Sequence, residues 1–319
     1  MKKELFRIIT EDNILTLDGA TGSFLLAAGM PPNVCQEEWV LNHPDILIDL
    51  QKQYVEAGSD IIYAPTFSAN RPRLDEFGFG NEVRRINRQL TELSREAAGS
   101  KAMIAGDVSV TSSSLLLYEE ELFASIKDTY KEQILALADA GCDLIVIETM
   151  LNLQETLAAV EAAVEVCNLP VMASLSFESN GRTLYGDKPA DCAHVLTEAG
   201  ADVVGANCST GPEHMLPIIQ EMRNATDLPI LAKPNAGLPM PGPNGTTKYD
   251  LSDDMFAMTM ISIIEAGANI IGGCCGTSPS LQVNQILSGL FFSFHSCLRY
   301  PRMISLPMQA EFITPSTPA

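Results

Sequence analysis

The sequence predicts an α/β fold, a single-domain (β/α)8 barrel of the TIM type. Two observations carry this: eight short apolar runs alternate with helical segments, and one tetrad recurs where helix hands over to strand. The runs are residues 14 to 17, 60 to 64, 102 to 107, 143 to 147, 170 to 175, 202 to 206, 229 to 233 and 269 to 272. Each is rich in Ile, Val, Leu or Ala and bounded by turn residues, as expected of parallel strands buried on both faces. Between them, Asp45 to Ala57, Glu82 to Ala98, Glu119 to Ala140 and Leu251 to Ala266 place apolar residues at helical spacing, with charges on the other face. The tetrad is Ala57-Gly58-Ser59-Asp60, repeated as Ala140-Gly141-Cys142-Asp143, Ala199-Gly200-Ala201-Asp202 and Ala266-Gly267-Ala268-Asn269. Glycine just past a helix end supplies a left-handed cap. The unequal spacing of the tetrads suits βα units with unequal loops and excludes a solenoid. A doubly wound open sheet is the alternative, because periodicity does not show closure.

Composition narrows the partners. Forty acids against 20 bases leave a net charge of −20 on 319 residues. That field repels nucleic acid and anionic membrane surfaces, so the expected partner is a small molecule. No run of uncharged apolar residues reaches membrane-spanning length, and Met1-Lys2-Lys3-Glu4 passes to Glu11-Asp12 without the apolar stretch of a signal peptide. The expected location is the cytoplasm, where thiols stay reduced. The eight cysteines are then candidates for packing, metal binding or catalysis and not for bridges.

The barrel is expected over residues 1–279. Residues 280–319 differ abruptly, with one acid, Glu311, and two bases, Arg299 and Arg302. A last helix over Ser280 to Ser293 is expected there, followed by an atypical Pro-rich tail whose order the sequence leaves open, and this tail is given no functional weight.

In a barrel the chemistry sits at the C-terminal ends of the strands. Strand ends in this chain lead into Asp18-Gly19-Ala20-Thr21-Gly22-Ser23, Pro65-Thr66-Phe67-Ser68, Glu148-Thr149, Asn207-Cys208-Ser209, Pro234-Asn235-Ala236-Gly237 and Gly273-Cys274-Cys275-Gly276. Three cysteines, Cys208, Cys274 and Cys275, therefore meet at one rim. Thiolates without a histidine favour zinc, and three protein ligands leave the fourth tetrahedral position for substrate. Cys274 and Cys275 alone would suit plain burial or a redox pair, although vicinal cysteines make a strained disulfide. His43, His194, His214 and His295 read as structural, Glu119-Glu120-Glu121 as a solvated helix start, and Met255, Met258 and Met260 as core filler.

The motifs DGATGS at 18 to 23, AGSDI with PTFSAN at 57 to 70, GANCSTGP at 205 to 212, PNAGLP at 234 to 239 and GGCCGTSP at 272 to 279 closely resemble the homocysteine S-methyltransferase family. Within that family the likeness is greatest to the N-terminal homocysteine module of the cobalamin-dependent methionine synthases. It spans about residues 10 to 279. It implies a zinc barrel that transfers a methyl group to the thiol of homocysteine, giving methionine, with Cys208, Cys274 and Cys275 as ligands and Asn235 as a zinc ligand when substrate is absent. It also implies an amino-acid pocket from Asp18, Gly19, Ala20, Thr21, Thr66, Glu148 and Asn207, with Glu148 on the substrate ammonium. Asp18 could instead cap the helix near Thr21, Glu148 could serve a structural salt bridge, and backbone N–H groups of Gly19 to Gly22 could take the substrate carboxylate. Tyr63-Ala64-Pro65 departs from a more polar family pattern, which argues against a side-chain role at 63 to 65. Methylcobalamin on a separate module is the expected donor, and separate cobalamin and folate modules the expected partners. S-methylmethionine or betaine-type donors, or a barrel that binds homocysteine and zinc without turnover, are the alternatives.

Overall fold

The computed structural model describes residues 14–111, 120–242 and 247–282. Eight parallel strands form one sheet: β1 (Leu15–Thr16), β2 (Ile61–Tyr63), β3 (Met103–Val108), β4 (Leu144–Met150), β5 (Val171–Leu175), β6 (Val203–Asn207), β7 (Ile230–Lys233) and β10 (Ala268–Ile271). Each falls within or overlaps a predicted run. Strands β2 to β7 lie in chain order, β10 follows β7, and β1 follows β10. A parallel bridge between Leu17 and Ile61, with Asp18 N–H on the Ile61 carbonyl at 3.1 Å, joins the two edges and closes the barrel. The open-sheet alternative is thereby excluded.

Helices α1 (Gly22–Ala27), α2 (Gln36–Asn42), α3 (Pro44–Glu56), α4 (Arg71–Asp75), α5 (Val83–Ala98), α6 (Glu120–Asp139), α7 (Leu153–Val166), α8 (Pro189–Glu198), α9 (Pro212–Arg223) and α10 (Asp253–Glu265) alternate with the strands. Asn152 caps α7 by accepting Glu155 N–H at 2.7 Å, which satisfies one of the four orphan donors of a helix start.

The tetrad does two jobs. Its glycines, Gly58, Gly141, Gly200 and Gly267, all have positive φ between 88° and 112°, the left-handed exit from a helix. Its last residue then reaches the neighbouring strand. Asp60 accepts Thr16 N–H, Asp143 accepts Ile104 N–H and Asp202 accepts Val171 N–H, each at 2.9 Å, and Asn269 accepts Ile230 N–H at 3.1 Å. These side chains satisfy donors at the starts of β1, β3, β5 and β7 that the sheet ladder leaves open, and so pin strand register at the bottom of the barrel.

The period-two alternation of a strand sorts the core into two layers. Leu15, Leu17, Ile61, Ala105, Leu144, Val146, Met172, Val203, Leu231 and Ile270 fill the barrel interior. Their neighbours Ile62, Ile104, Ile145, Ile147, Val171 and Val204 pack outward in the larger core that includes helix residues.

One element was not foreseen, and one expectation needs correction. A hairpin, β8 (Pro239–Pro241) with β9 (Thr247–Tyr249), follows β7 and was not foreseen, because Pro-Met-Pro has no strand propensity and only its edge position tolerates proline. Of the methionines expected in the core, Met260 is buried, whereas Met255 and Met258 are 51% and 67% exposed, since α10 turns them outward. Helix begins at residue 279, and the remainder of the predicted last helix and tail lies outside the described residues. Elsewhere, His43 stacks on Trp39 at 4.2 Å between ring centroids and hydrogen-bonds its carbonyl, a structural role.

Gly141→Ala tests the tetrad. A Cβ there meets no atom within 4 Å, but φ is +88°. The expected loss is about 1 kcal/mol in urea unfolding, with metal content unchanged.

Candidate metal and amino-acid site

At the C-terminal ends of the strands the inward face changes from aliphatic to polar within one step of two residues. Ala105 is followed on that face by Asp107, Val146 by Glu148 and Leu231 by Lys233. A cavity of about 220 Å³ opens there. It is lined by the 18 to 23 turn, by Tyr63, Asp107, Glu148 and Lys233, and by Cys208, Cys274 and Cys275.

The three cysteine sulfur atoms lie within 4.8 Å of one another, the one such group of candidate metal ligands among the described residues. Tetrahedral zinc with Zn–S bonds of about 2.3 Å places sulfur atoms about 3.8 Å apart, so at most about 1 Å of adjustment gathers the set. The donors are all soft, which suits zinc. The chain leaves β10 at Ile271, so Cys274 and Cys275 sit on a turn and escape the opposite-face rule of a strand. Gly276 makes that turn possible: its φ is +80°, and a Cβ would lie 2.1 Å from the Tyr249 ring.

The loop after β7 supports both ligand segments. Cys208 N–H donates to the Lys233 carbonyl at 3.1 Å, Cys274 N–H to the Pro234 carbonyl at 2.7 Å, and Cys275 N–H to Asn235 Oδ1 at 3.1 Å. The Asn235 amide oxygen therefore holds a ligand's backbone. Hydrogen bonds from the Cys208 and Cys274 thiols, with another from the Tyr249 hydroxyl, outweigh burial and pull the Cys275 thiol down to about 3.

Beside the sulfur cluster lies a buried set of charges. Asp18 Oδ2 accepts Tyr63 N–H at 2.8 Å and does not cap α1, whose start has no side-chain cap. Lys233 Nζ lies 3.6 Å from Asp18 Oδ1, 3.7 Å from Glu148 Oε2 and 4.2 Å from the centre of the Tyr63 ring. Burial pushes Asp18 up to about 6 and Glu148 up to about 7, and the Lys233 charge opposes both shifts. Burial, reinforced by the Glu148 charge, raises Asp107 well above the carboxylate range. Desolvation acts to lower Lys233, but Glu148 and Asp18 outweigh it and keep the ammonium charged.

Two residues expected to touch substrate stand one layer back. Thr66, with no exposed surface, donates to the Asp107 carbonyl at 2.8 Å and accepts Asp107 N–H at 3.1 Å. Asn207, equally buried, accepts Thr149 N–H and the Ser174 hydroxyl at 2.8 Å each, and donates to Thr149 Oγ1 at 2.7 Å and Glu148 Oε2 at 3.3 Å. Neither lines the cavity. Asn207 instead holds Thr149 at φ +58°, a costly conformation for a β-branched residue, and so aims Glu148. The other expected residues, Asp18, Gly19, Ala20, Thr21 and Glu148, do line the cavity.

Sequence reasoning missed Lys233, Asp107, Tyr63 and Tyr249. A signal existed for the first two: a charged residue closing an apolar strand, the same signal that singled out Glu148. Tyr63, set aside because its segment departs from the family pattern, supports Lys233 with its ring. Tyr249 had no signal, since the hairpin that carries it was not foreseen.

The model of the homocysteine S-methyltransferase family matches residues 15–286. The chain belongs to that family. It is 30% identical over 290 residues to the methionine synthase of Mycobacterium tuberculosis, covering 85% of this chain and 24% of that protein. To the methionine synthase of Mycobacterium leprae it is 28% identical, covering 83% and 23%. The chain thus spans about a quarter of these relatives. Among solved structures it resembles the homocysteine methyltransferase MmuM from Escherichia coli, in its metallated form, with a TM-score of 0.70, 21% identity and coverage of 87% and 97%. At that identity the likeness shows the shared barrel. The carboxyl transferase domain of Rhizobium etli pyruvate carboxylase matches less well, with a TM-score of 0.53 at 14% identity over 92% of this chain and 50% of that one. No helix among the described residues of this methyltransferase-family chain is long and apolar enough to cross a membrane.

Replacing Cys208, Cys274 or Cys275 by Ser is expected to lower zinc content in metal analysis at least about 10-fold each. Cys142→Ser, buried beneath α5, and Cys167→Ser, at the end of α7, should leave it unchanged. Equal behaviour of the two groups would refute the assignment.

Proposed function

We propose that this chain transfers a methyl group to the thiol of homocysteine, giving methionine, with zinc held by Cys208, Cys274 and Cys275. The observation that carries the reading is the meeting, in one cavity, of three thiolate ligands and a buried acidic pocket of amino-acid size. A free thiol with pKa about 8.5 is only about 3% thiolate at pH 7. Zinc, when bound, keeps the substrate sulfur deprotonated, and three anionic ligands leave that sulfur electron-rich enough to attack a methyl carbon.

The protein's own groups supply position. Glu148 and Asp18 take the substrate ammonium, and Asn207 fixes the Glu148 carboxylate in place. The 18 to 23 turn walls the substrate in. Holding a nucleophile in line with its electrophile contributes up to about 7–11 kcal/mol in well-oriented cases. The donor in this reading is methylcobalamin carried by a separate module, the chain acting as the homocysteine module of a cobalamin-dependent methionine synthase. The support is the similarity to methionine synthases about four times its length. A cytoplasmic location fits the reduced thiols this chemistry needs.

Zinc-loaded protein with homocysteine should form methionine from methylcobalamin and not from S-methylmethionine or betaine. X-ray absorption should count three sulfur neighbours around zinc, and four with homocysteine. Turnover with either other donor would replace the donor assignment. Absence of methionine with all donors, despite bound zinc and homocysteine, would leave a binding barrel without turnover.

The raised carboxyls predict a pH dependence. Only the ionised Glu148 attracts an ammonium, and burial has raised it to about 7. Homocysteine affinity should therefore fall as pH drops below about 7, by up to about tenfold per pH unit, with Asp18 steepening the fall below about 6. Glu148→Gln should weaken binding about 10- to 100-fold at pH 8 and abolish the inflection near 7, with zinc content unchanged, as read by calorimetry.

A further inference from the structure

In the proposed transfer four thiolates meet around one zinc, three from the chain and one from the substrate. Thiolates are nucleophiles, so an electrophilic methyl group has four sulfur atoms to choose from. Only attack by the substrate sulfur gives product. Cys275 is the ligand most in need of restraint at the mouth of the site, being half-buried and followed by the exposed Gly276.

One side chain from outside the ligand set reaches that sulfur. The hairpin of β8 and β9 ends on Tyr249, paired with Pro239, and the Tyr249 hydroxyl donates to the Cys275 sulfur. The Tyr249 ring lies across Gly276, in the space a Cβ would need. The base of the hairpin is tied to the ligand loop. Leu251 N–H donates to the Ala236 carbonyl at 3.2 Å, Leu238 N–H to Asp250 Oδ1 at 2.8 Å, and Ala236 N–H to the Cys275 carbonyl at 3.0 Å. Donor and acceptor are thus held in one frame. Tyr249 does not line the cavity, so its hydroxyl reaches Cys275 without taking the space left to substrate.

Hydrogen bonds among the three thiols disappear once zinc displaces their protons, whereas a phenol keeps its proton at neutral pH and goes on donating. A hydrogen bond to an anionic sulfur is of the stronger, charge-assisted kind, and it occupies a lone pair that would otherwise attack. We propose that Tyr249 is a positioning residue that fixes and damps the Cys275 thiolate, so that the methyl group goes to the substrate sulfur and not to the site's own ligand. This rests on the methyl-transfer reading. A methyl group on Cys275 would turn an anionic ligand into a neutral thioether and release the metal.

Methyl iodide on the zinc-loaded full-length chain, without homocysteine, tests this: a ligand sulfur forms an S–CH3 bond and iodide leaves. Tandem mass spectrometry reads the rate at each cysteine, and a chromogenic chelator follows zinc release. In Tyr249→Phe, which keeps the ring and loses the donor, methylation of Cys275 should be about 10-fold faster than in the wild type, with zinc release accelerated alike. Rates at Cys208 and Cys274 should stay within about 3-fold, as should all three in Lys248→Ala, an exposed change on the same hairpin. Tyr249→Leu takes the place of the Phe variant if circular dichroism shows the latter unfolded. An unchanged Cys275 rate overturns the proposal, and so does an equal rise at all three cysteines, which would mark a loosened site. A wild-type chain that takes up no zinc would overturn the zinc-dependent reading, and this proposal with it.

Discussion

Closure of the sheet between Leu17 and Ile61 is the constraint on which the site depends. In a closed parallel barrel every strand ends at the same rim, so residues far apart in the chain are forced into one small volume. Asp18 follows β1, Glu148 lies on β4, Cys208 follows β6, and Cys274 and Cys275 follow β10. An open sheet of the same strands would put β1 and β2 at opposite edges. The tetrad residues at the barrel bottom serve this closure indirectly. By pinning strand starts at β1, β3, β5 and β7 they set the register that decides which side chains arrive at the top facing inward.

The pocket is held in imbalance. Three acids share one ammonium in a region of deep burial, which moves the carboxyls upward while Lys233 moves them back. Buried charges cost several kcal/mol each unless paired, and incomplete pairing is a property of sites that await a charged ligand. The buried Asp18 Oδ1 and Asp107 Oδ1 accept no hydrogen bond.

Strain is concentrated at the same rim. Thr149, Cys208 and Ser209 occupy left-handed backbone at φ +58°, +62° and +56°. Each such residue costs of order 1–3 kcal/mol and persists only where its surroundings over-determine it. Asn207 provides much of that determination. Its amide ties Thr149 and Glu148 to β6, one residue before Cys208. The amino-acid pocket and the sulfur cluster are therefore parts of one hydrogen-bonded frame.

The eight barrel strands, the helices α3, α5, α6 and α10 and the three cysteines at a common rim were legible in the linear order of residues, because each leaves a local trace: periodicity, a glycine after a helix, a cysteine after a strand. Thr66 and Asn207 also follow or close strands, yet their polar groups are consumed by Asp107, Thr149 and Ser174. Position along the chain says that a side chain reaches the rim, not whether a neighbour has already engaged it. Lys233 and Asp107 carried the local signal that identified Glu148, but their significance lies in distances to residues on other strands. Fold class, family and the convergence of the three sulfurs could all be read from the order of residues. Which polar groups stay unsatisfied in the cavity could be read only from the folded chain, because hydrogen-bond saturation belongs to pairs of atoms brought together from distant segments and leaves no mark on either segment alone.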